Sequence, residues 1–223
     1  SLKSLTFGAF FFDYDLDGLL DIFAENGHVA DDISVMQPTL KYAEPPLLFH
    51  NKGGGKFDDV TGRVGTALRR AVVGRGAAYA DIDLDGDLDL VLTTNNGPAR
   101  LLRNDNGNKN DMLRVKLVGT RSNRDGIGAK VTLTSSKGVR QFAMVKSGSS
   151  YLSQSELPLT FGLGKPEAGV TVKLDIVWPS GHRDSISDIK PDQFLTVEEG
   201  KGIVSSEAIQ FSRAASGPAG KAR

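Results

Sequence analysis

Two stretches of the chain hold carboxylates at a spacing that suits a bound cation. In "DYDLDGLLDIF" (Asp13 to Phe23) and again in "DIDLDGDLDLVL" (Asp81 to Leu92), aspartates stand at loop positions 1, 3, 5 and 9, with glycine at position 6. The first set is Asp13, Asp15, Asp17 and Asp21 around Gly18; the second is Asp81, Asp83, Asp85 and Asp89 around Gly86. Crowded like charges repel and destabilise a compact state. Calcium takes six to eight oxygen ligands from carboxylates and backbone carbonyls, and a tight loop with acids at 1, 3 and 5 converges three carboxylates on one point. Position 7 adds a backbone carbonyl, from Leu19 or Asp87. Magnesium, which prefers a small octahedron with retained waters, is the poorer match. An EF-hand needs an acid at position 12 and flanking helices. Here position 12 is Ala24 or Leu92, and the sequence leaves each loop as an apolar, strand-like run. A plain turn explains one Asp and one Gly, not the same four-carboxylate spacing twice.

The elements that must position these loops repeat with them. Gly8-Ala9 aligns with Gly76-Ala77, and a later pair, "LLFHN" (Leu47 to Asn51) and "RLLRN" (Arg100 to Asn104), aligns at a shorter offset, which implies an insertion between His28 and Pro45 in the first copy. A fixed internal repeat signals one supersecondary unit per copy. "GAFFFDY", "LDIFAEN", "PLLFHN" and "KFDDVT" read as four strands. The second unit lacks a partner for "KFDDVT" and runs instead into the polar "DNGNKND". A unit short of its outer strand exposes a sheet edge, so a segment upstream of Ser1 is expected to complete it. From Met112 the pattern becomes alternating strands separated by turn signals, the signature of an antiparallel β-sandwich.

Composition agrees with a folded, ordinary globular chain: 223 residues, 39% apolar, 24% charged, zero net charge. The zero hides an asymmetry. Asp outnumbers Glu 20 to 7; residues 1–105 carry 16 acids against 10 bases, and the remainder 11 against 17. The absence of cysteine excludes disulfides, thiolate metal sites and cysteine nucleophiles. No apolar run approaches the length of a membrane span.

Other constellations are poorer. His28, His50 and His182 fit no metal-binding spacing and read as loop or surface residues. "GRGAAY" and "GIGAKV" lack the third glycine of a dinucleotide loop, and "GGGKF" lacks the hydroxyl residue of a P-loop. The bases of the second half (Arg114, Lys116, Lys130, Arg140, Lys146, Lys173) are scattered singly, as on solvent faces, which argues against nucleic acid. Trp178 reads as core. Tyr151 and Trp178 are the aromatic candidates for ligand contact, and Asn123 with Asp125 is a weak third ion site.

The acidic stretches, with "GAFFFDYDLDGLLDIF" and "GAAYADIDLDGDLDLVL", resemble the FG-GAP (VCBS-type) repeat of integrin-like β-propellers. "NRDGIGAKV", "GSSYLSQS", "FGLG" and "VWPSG" resemble the ASPIC/UnbV domain, and together the two match the architecture of cartilage acidic protein-like secreted proteins. The resemblance implies an all-β chain, with C-terminal blades of a propeller (residues 1–105, about one and a half blades) and an ASPIC/UnbV-like sandwich (112–202); polar composition marks a linker (106–111) between them and a disordered tail (203–223). It implies a non-catalytic calcium-binding module for adhesion or binding, secreted, periplasmic or at the cell surface, with upstream blades in the same longer chain. The expected partner is a protein or carbohydrate; nucleic acid and a membrane span are not expected. The alternative is an accessory or scaffold region of a secreted carbohydrate-active enzyme.

Overall fold

The computed structural model describes residues 4–105 and 109–209. It is all-β. The first unit contains β1 (Thr6–Phe12), β2 (Asp21–Asn26), β3 (Leu47–Asn51) and β4 (Phe57–Asp59), hydrogen-bonded in that order into one sheet. Alternation along β1 sends Phe10 and Phe12 into the core and Phe11 to the surface. The expected insertion between β2 and β3 carries one helical turn, α1 (Ile33–Met36). The second unit has β5 (Gly74–Ala80), β6 (Asp89–Thr94) and β7 (Arg100–Leu102), a three-stranded sheet in which, among the described residues, nothing pairs with the outer side of β7.

The two units share a core. Phe10, Phe12, Phe23 and Leu48 of the first meet Ala77, Leu90 and Leu92 of the second. Phe10 lies 5.5 Å from Phe23 in a stacked pair and 5.1 Å from Tyr79 edge-on. Each fully buried phenyl stabilises the fold by about 1.5–3 kcal/mol. This packing fixes one hairpin against the other, and with them the two acidic loops.

The second half is a sandwich of two four-stranded sheets. One has the order β10-β9-β12-β13, from β9 (Lys130–Ser135), β10 (Arg140–Met144), β12 (Val172–Val177) and β13 (Arg183–Ile189). The other has the order β11-β8-β14-β15, from β8 (Asp111–Val118), β11 (Leu159–Gly164), β14 (Gln193–Glu198) and β15 (Gly202–Ala208). Inward residues of both sheets, among them Leu113, Val115, Leu133, Phe161, Leu174 and Leu195, form one core. Trp178 is buried in it, its indole N–H donating to Asp184 Oδ2 at 2.8 Å.

Three expectations need correction. The sandwich is not wholly antiparallel: β14 pairs with β8 in parallel. The chain reaches β14 only after crossing to the other sheet for β12 and β13, so it enters along the free side of β8 in the same direction. The disordered tail does not begin at 203, because β15 pairs with β14 from Gly202↔Glu198 to Ala208↔Gln193; small polar residues tolerate an edge strand whose backbone partners are supplied. The rest of the expected tail, residues 210–223, lies outside the described residues, as do residues 106–108 of the expected linker. The linker also ends earlier than expected, since β8 already starts at Asp111.

Candidate metal centre

Both acidic loops close antiparallel hairpins at the same register. Phe12 pairs with Asp21 at the end of β1/β2, and Ala80 with Asp89 at the end of β5/β6. Backbone geometry then repeats residue for residue. Leu16 and Leu84 take φ of 59° and 61°, Gly18 and Gly86 φ of 90° and 98°. Positive φ costs an L-residue energy and comes freely only to glycine, so two leucines held there mark a loop wound tightly around its own centre.

The hydrogen bonds repeat too. The position-1 aspartate accepts from the glycine N–H, Gly18 to Asp13 Oδ2 at 2.8 Å and Gly86 to Asp81 Oδ2 at 3.1 Å. The position-5 aspartate accepts from position 7, Leu19 N to Asp17 Oδ1 at 2.8 Å and Asp87 N to Asp85 Oδ1 at 3.0 Å. The position-9 aspartate accepts from position 2, Tyr14 N to Asp21 Oδ2 at 3.2 Å and Ile82 N to Asp89 Oδ2 at 3.0 Å. Its other oxygen accepts from an asparagine of the third strand, Asn51 N to Asp21 Oδ1 and Asn104 N to Asp89 Oδ1, both at 2.8 Å. That last bond gives the "LLFHN"/"RLLRN" pair its purpose.

The side chains converge. Asp13, Asp15 and Asp21 each bring a carboxylate oxygen within 4.8 Å of the others, and so do Asp81, Asp83 and Asp85. Asp89 is not part of the second group, and the position-7 carbonyls of Leu19 and Asp87 remain an expectation from loop spacing. Two carboxylate oxygens, Asp15 Oδ1 and Asp81 Oδ1, are shut off from solvent and accept no hydrogen bond. Buried acceptors without partners are costly, and acid oxygens of this kind, gathered in a wound loop, fit a hard divalent cation.

Electrostatics point the same way. Burial pushes Asp13 up to about 8; the Gly18 N–H opposes this, and the charges of Asp17, Asp21 and Asp15 add to it. Burial likewise lifts Asp21 to about 6 against the N–H groups of Asn51 and Tyr14, and raises Asp15, Asp81 and Asp89. These are carboxylates that resist ionising until an opposite charge arrives.

The loops differ in what faces them. His50 Nδ1 stands 3.2 Å from Asp21 Oδ1 and 3.5 Å from Asp15 Oδ2, and forms a second cluster with Asp15 and Asp17. It is therefore not the unconnected surface histidine expected from its spacing. Its counterpart in the repeat is Arg103, 3.9 Å from Asp83 Oδ2 and bonded more closely to Asp105. At the second loop, Arg114 of β8 reaches Asp81 Oδ2 and Glu156 Oε2, each at 2.5 Å. Arg114 was expected on a solvent face. It is only 3% exposed, because β8 lies across the repeats and its outward side is an interface.

The whole sandwich leans on the loops in this way. Gly164 N donates to Leu16 O at 3.0 Å, Asn110 Nδ2 to Asp15 O at 2.8 Å, and Glu156 N to Tyr79 O at 3.0 Å. Gly162 is the point of closest approach: a Cβ there would overlap Asp13 Oδ2 and the backbone of Leu16. Tyr151 packs edge-on to Phe7 at 5.1 Å, and Asn123 uses both ends of its amide to close a turn on Ile127. Asp125 belongs to no acidic cluster among the described residues.

A separate knot holds the sandwich's own loops. The Glu199 carboxylate accepts from the backbone N–H groups of Thr120, Arg121 and Ser122 and from the hydroxyls of Ser122 and Ser180. Burial works against its charge, but these donors, the Ser122 N–H foremost, hold it down at about 2.

Residues 119–204 match the ASPIC and UnbV family. The match spans the Glu199 knot, the Gly162 strand and Trp178. The chain is also 37% identical over 111 residues to Cartilage acidic protein 1 of Xenopus tropicalis, covering 48% of this chain and 16% of that protein. Over 120 residues it is 36% identical to Cartilage acidic protein 1 of Homo sapiens, covering 52% of this chain and 18% of that protein. The chain thus spans less than a fifth of these curated relatives. No helix of the described residues is long and apolar enough to cross a membrane.

Proposed function

We propose that the chain is a non-catalytic, calcium-stabilised binding module that works outside the cytoplasm, with blade-like FG-GAP repeats fused to an ASPIC/UnbV sandwich. The reading rests above all on the repeated hydrogen-bond scaffold of the two loops, which aims carboxylates at one point in each. Asp13, Asp15, Asp17 and Asp21 would hold one calcium with the Leu19 carbonyl. Asp81, Asp83, Asp85 and Asp89 would hold another with the Asp87 carbonyl. The ion supplies positive charge where burial has left acids without it, and it favours folding because the unfolded chain has no preformed site. Likeness to proteins named for cartilage, an extracellular tissue, supports the setting. Against catalysis stands the engagement of the clustered acids: the position-1, -5 and -9 carboxylates are fastened to backbone N–H groups that set loop shape.

Calcium titration by calorimetry tests this. The expected result is two sites in the weak extracellular range, about 10⁻⁴ to 10⁻³ M. Asp15→Asn and Asp83→Asn each remove one. Absence of calcium heat, or full stoichiometry in both variants, refutes it.

A further inference from the structure

A cavity of about 530 Å³ opens where the first acidic hairpin meets the sandwich, a size ordinary for a small-molecule site. Its lining is mixed in a particular way. Phe11, on the edge strand β1, and Phe142, on the edge strand β10, are among its lining residues and are 57% and 61% exposed. Arg140 and Lys146, both exposed, bring positive charge to the same cavity. Asp13 of the first loop and Glu156 are the acidic residues of the lining. The negative charge of Glu156 is already matched by Arg114.

We propose that this cleft binds an acidic oligosaccharide. A sugar ring offers an apolar C–H face for the phenyl side chains and hydroxyls for the half-buried Ser149, which also lines the cleft. A ring carboxylate complements Arg140, whose guanidinium suits carboxylate geometry. A purely apolar ligand would cover the phenyl side chains and crowd Arg140 and Lys146 without matching their charge, at a cost. The aromatics that the sequence suggested for ligand contact do not serve. Trp178 is core, and Tyr151 does not line the cleft. The proposal rests on the binding-module reading; Asp13 and Gly18 of the first loop also line the cleft, but none of the proposed contacts passes through a metal.

The test uses the 223-residue chain and a tetrasaccharide of alternating glucuronic acid and N-acetylglucosamine, with a neutral glucose tetramer for comparison, titrated by calorimetry in calcium. Expected are saturable binding of the acidic sugar and weaker binding of the neutral one. Phe142→Ala and Phe11→Ala each weaken the acidic sugar about tenfold, and Arg140→Ala removes the preference for it. Because Phe142 and Arg140 are exposed and outside the loops, the Phe142→Ala and Arg140→Ala variants keep the wild-type thermal response to calcium, so a failed cleft is distinguishable from a failed metal site. No binding of the acidic sugar at millimolar concentration, or binding indifferent to Phe11, Phe142 and Arg140, overturns the proposal.

Discussion

Single side chains carry most of the chemistry, and two of them make opposite pH predictions. Glu199 is ionised and well supplied with donors, its carboxyl held at about 2. A depressed acid contributes stability above its unfolded pKa, about 4.3, and loses it as pH falls through its folded value. Glu199→Gln is therefore expected to cost about 1.5–3 kcal/mol at neutral pH. The gap from wild type closes between roughly pH 4.3 and 2, as read by denaturant unfolding. Glu25, on β2, is the reverse case: fully buried, with neither oxygen hydrogen-bonded, and pushed by burial up to about 7 although Arg100 pulls it down. A raised acid folds best protonated, so its support is present at low pH and is lost as pH rises from about 4.3 to about 7. Relative to wild type, Glu25→Gln is expected to gain stability across that window and then level off, a change of about 4 kcal/mol. A flat difference would mean that Glu25 finds a partner in solution.

Elements decide how the loops are presented. The acidic loops were legible because carboxylate spacing along a loop is a local property. The hairpins that close them were legible from short apolar runs ending at Asn or Gly. What was not legible depends on partners far apart in sequence. Arg114 looks like any alternate base on a strand, and nothing local says that its face of β8 is covered. His50 gains its meaning only when β3 lays it beside Asp15 and Asp21. The parallel β8/β14 pair follows from a crossover, which single-strand patterns do not record. Gly162 shows the middle case: "FGLG" was quoted as a marker without a reason, and the reason is the room it leaves for Asp13 and Leu16. Gly162→Ala must push the first loop away from β11. It is expected to destabilise the chain by about 2 kcal/mol or more and to weaken calcium at the first loop, while the second loop keeps its affinity. Calorimetric titration of the variant reads both sites at once, and equal weakening would place Gly162 in general packing.

For the whole molecule the consequence is a coupling between halves of opposite charge. Repeats with an excess of acids and a sandwich with an excess of bases meet at the loops, where Arg114, Gly164 and Asn110 fasten one to the other. A cation bound in the loops would then stabilise the sandwich as well as the repeats. Trp178 is the sole tryptophan and lies in the sandwich core, so its fluorescence reports that half alone. The decisive measurement is thermal unfolding followed at Trp178, in 10 mM calcium and in chelator at neutral pH. With two sites of about 10⁻³ M or tighter, mass action adds about 1.4 kcal/mol or more per site. The Trp178 transition is then expected to rise by about 4 °C or more in calcium. A Trp178 transition at the same temperature in calcium and in chelator would contradict a cation that joins the repeats to the sandwich.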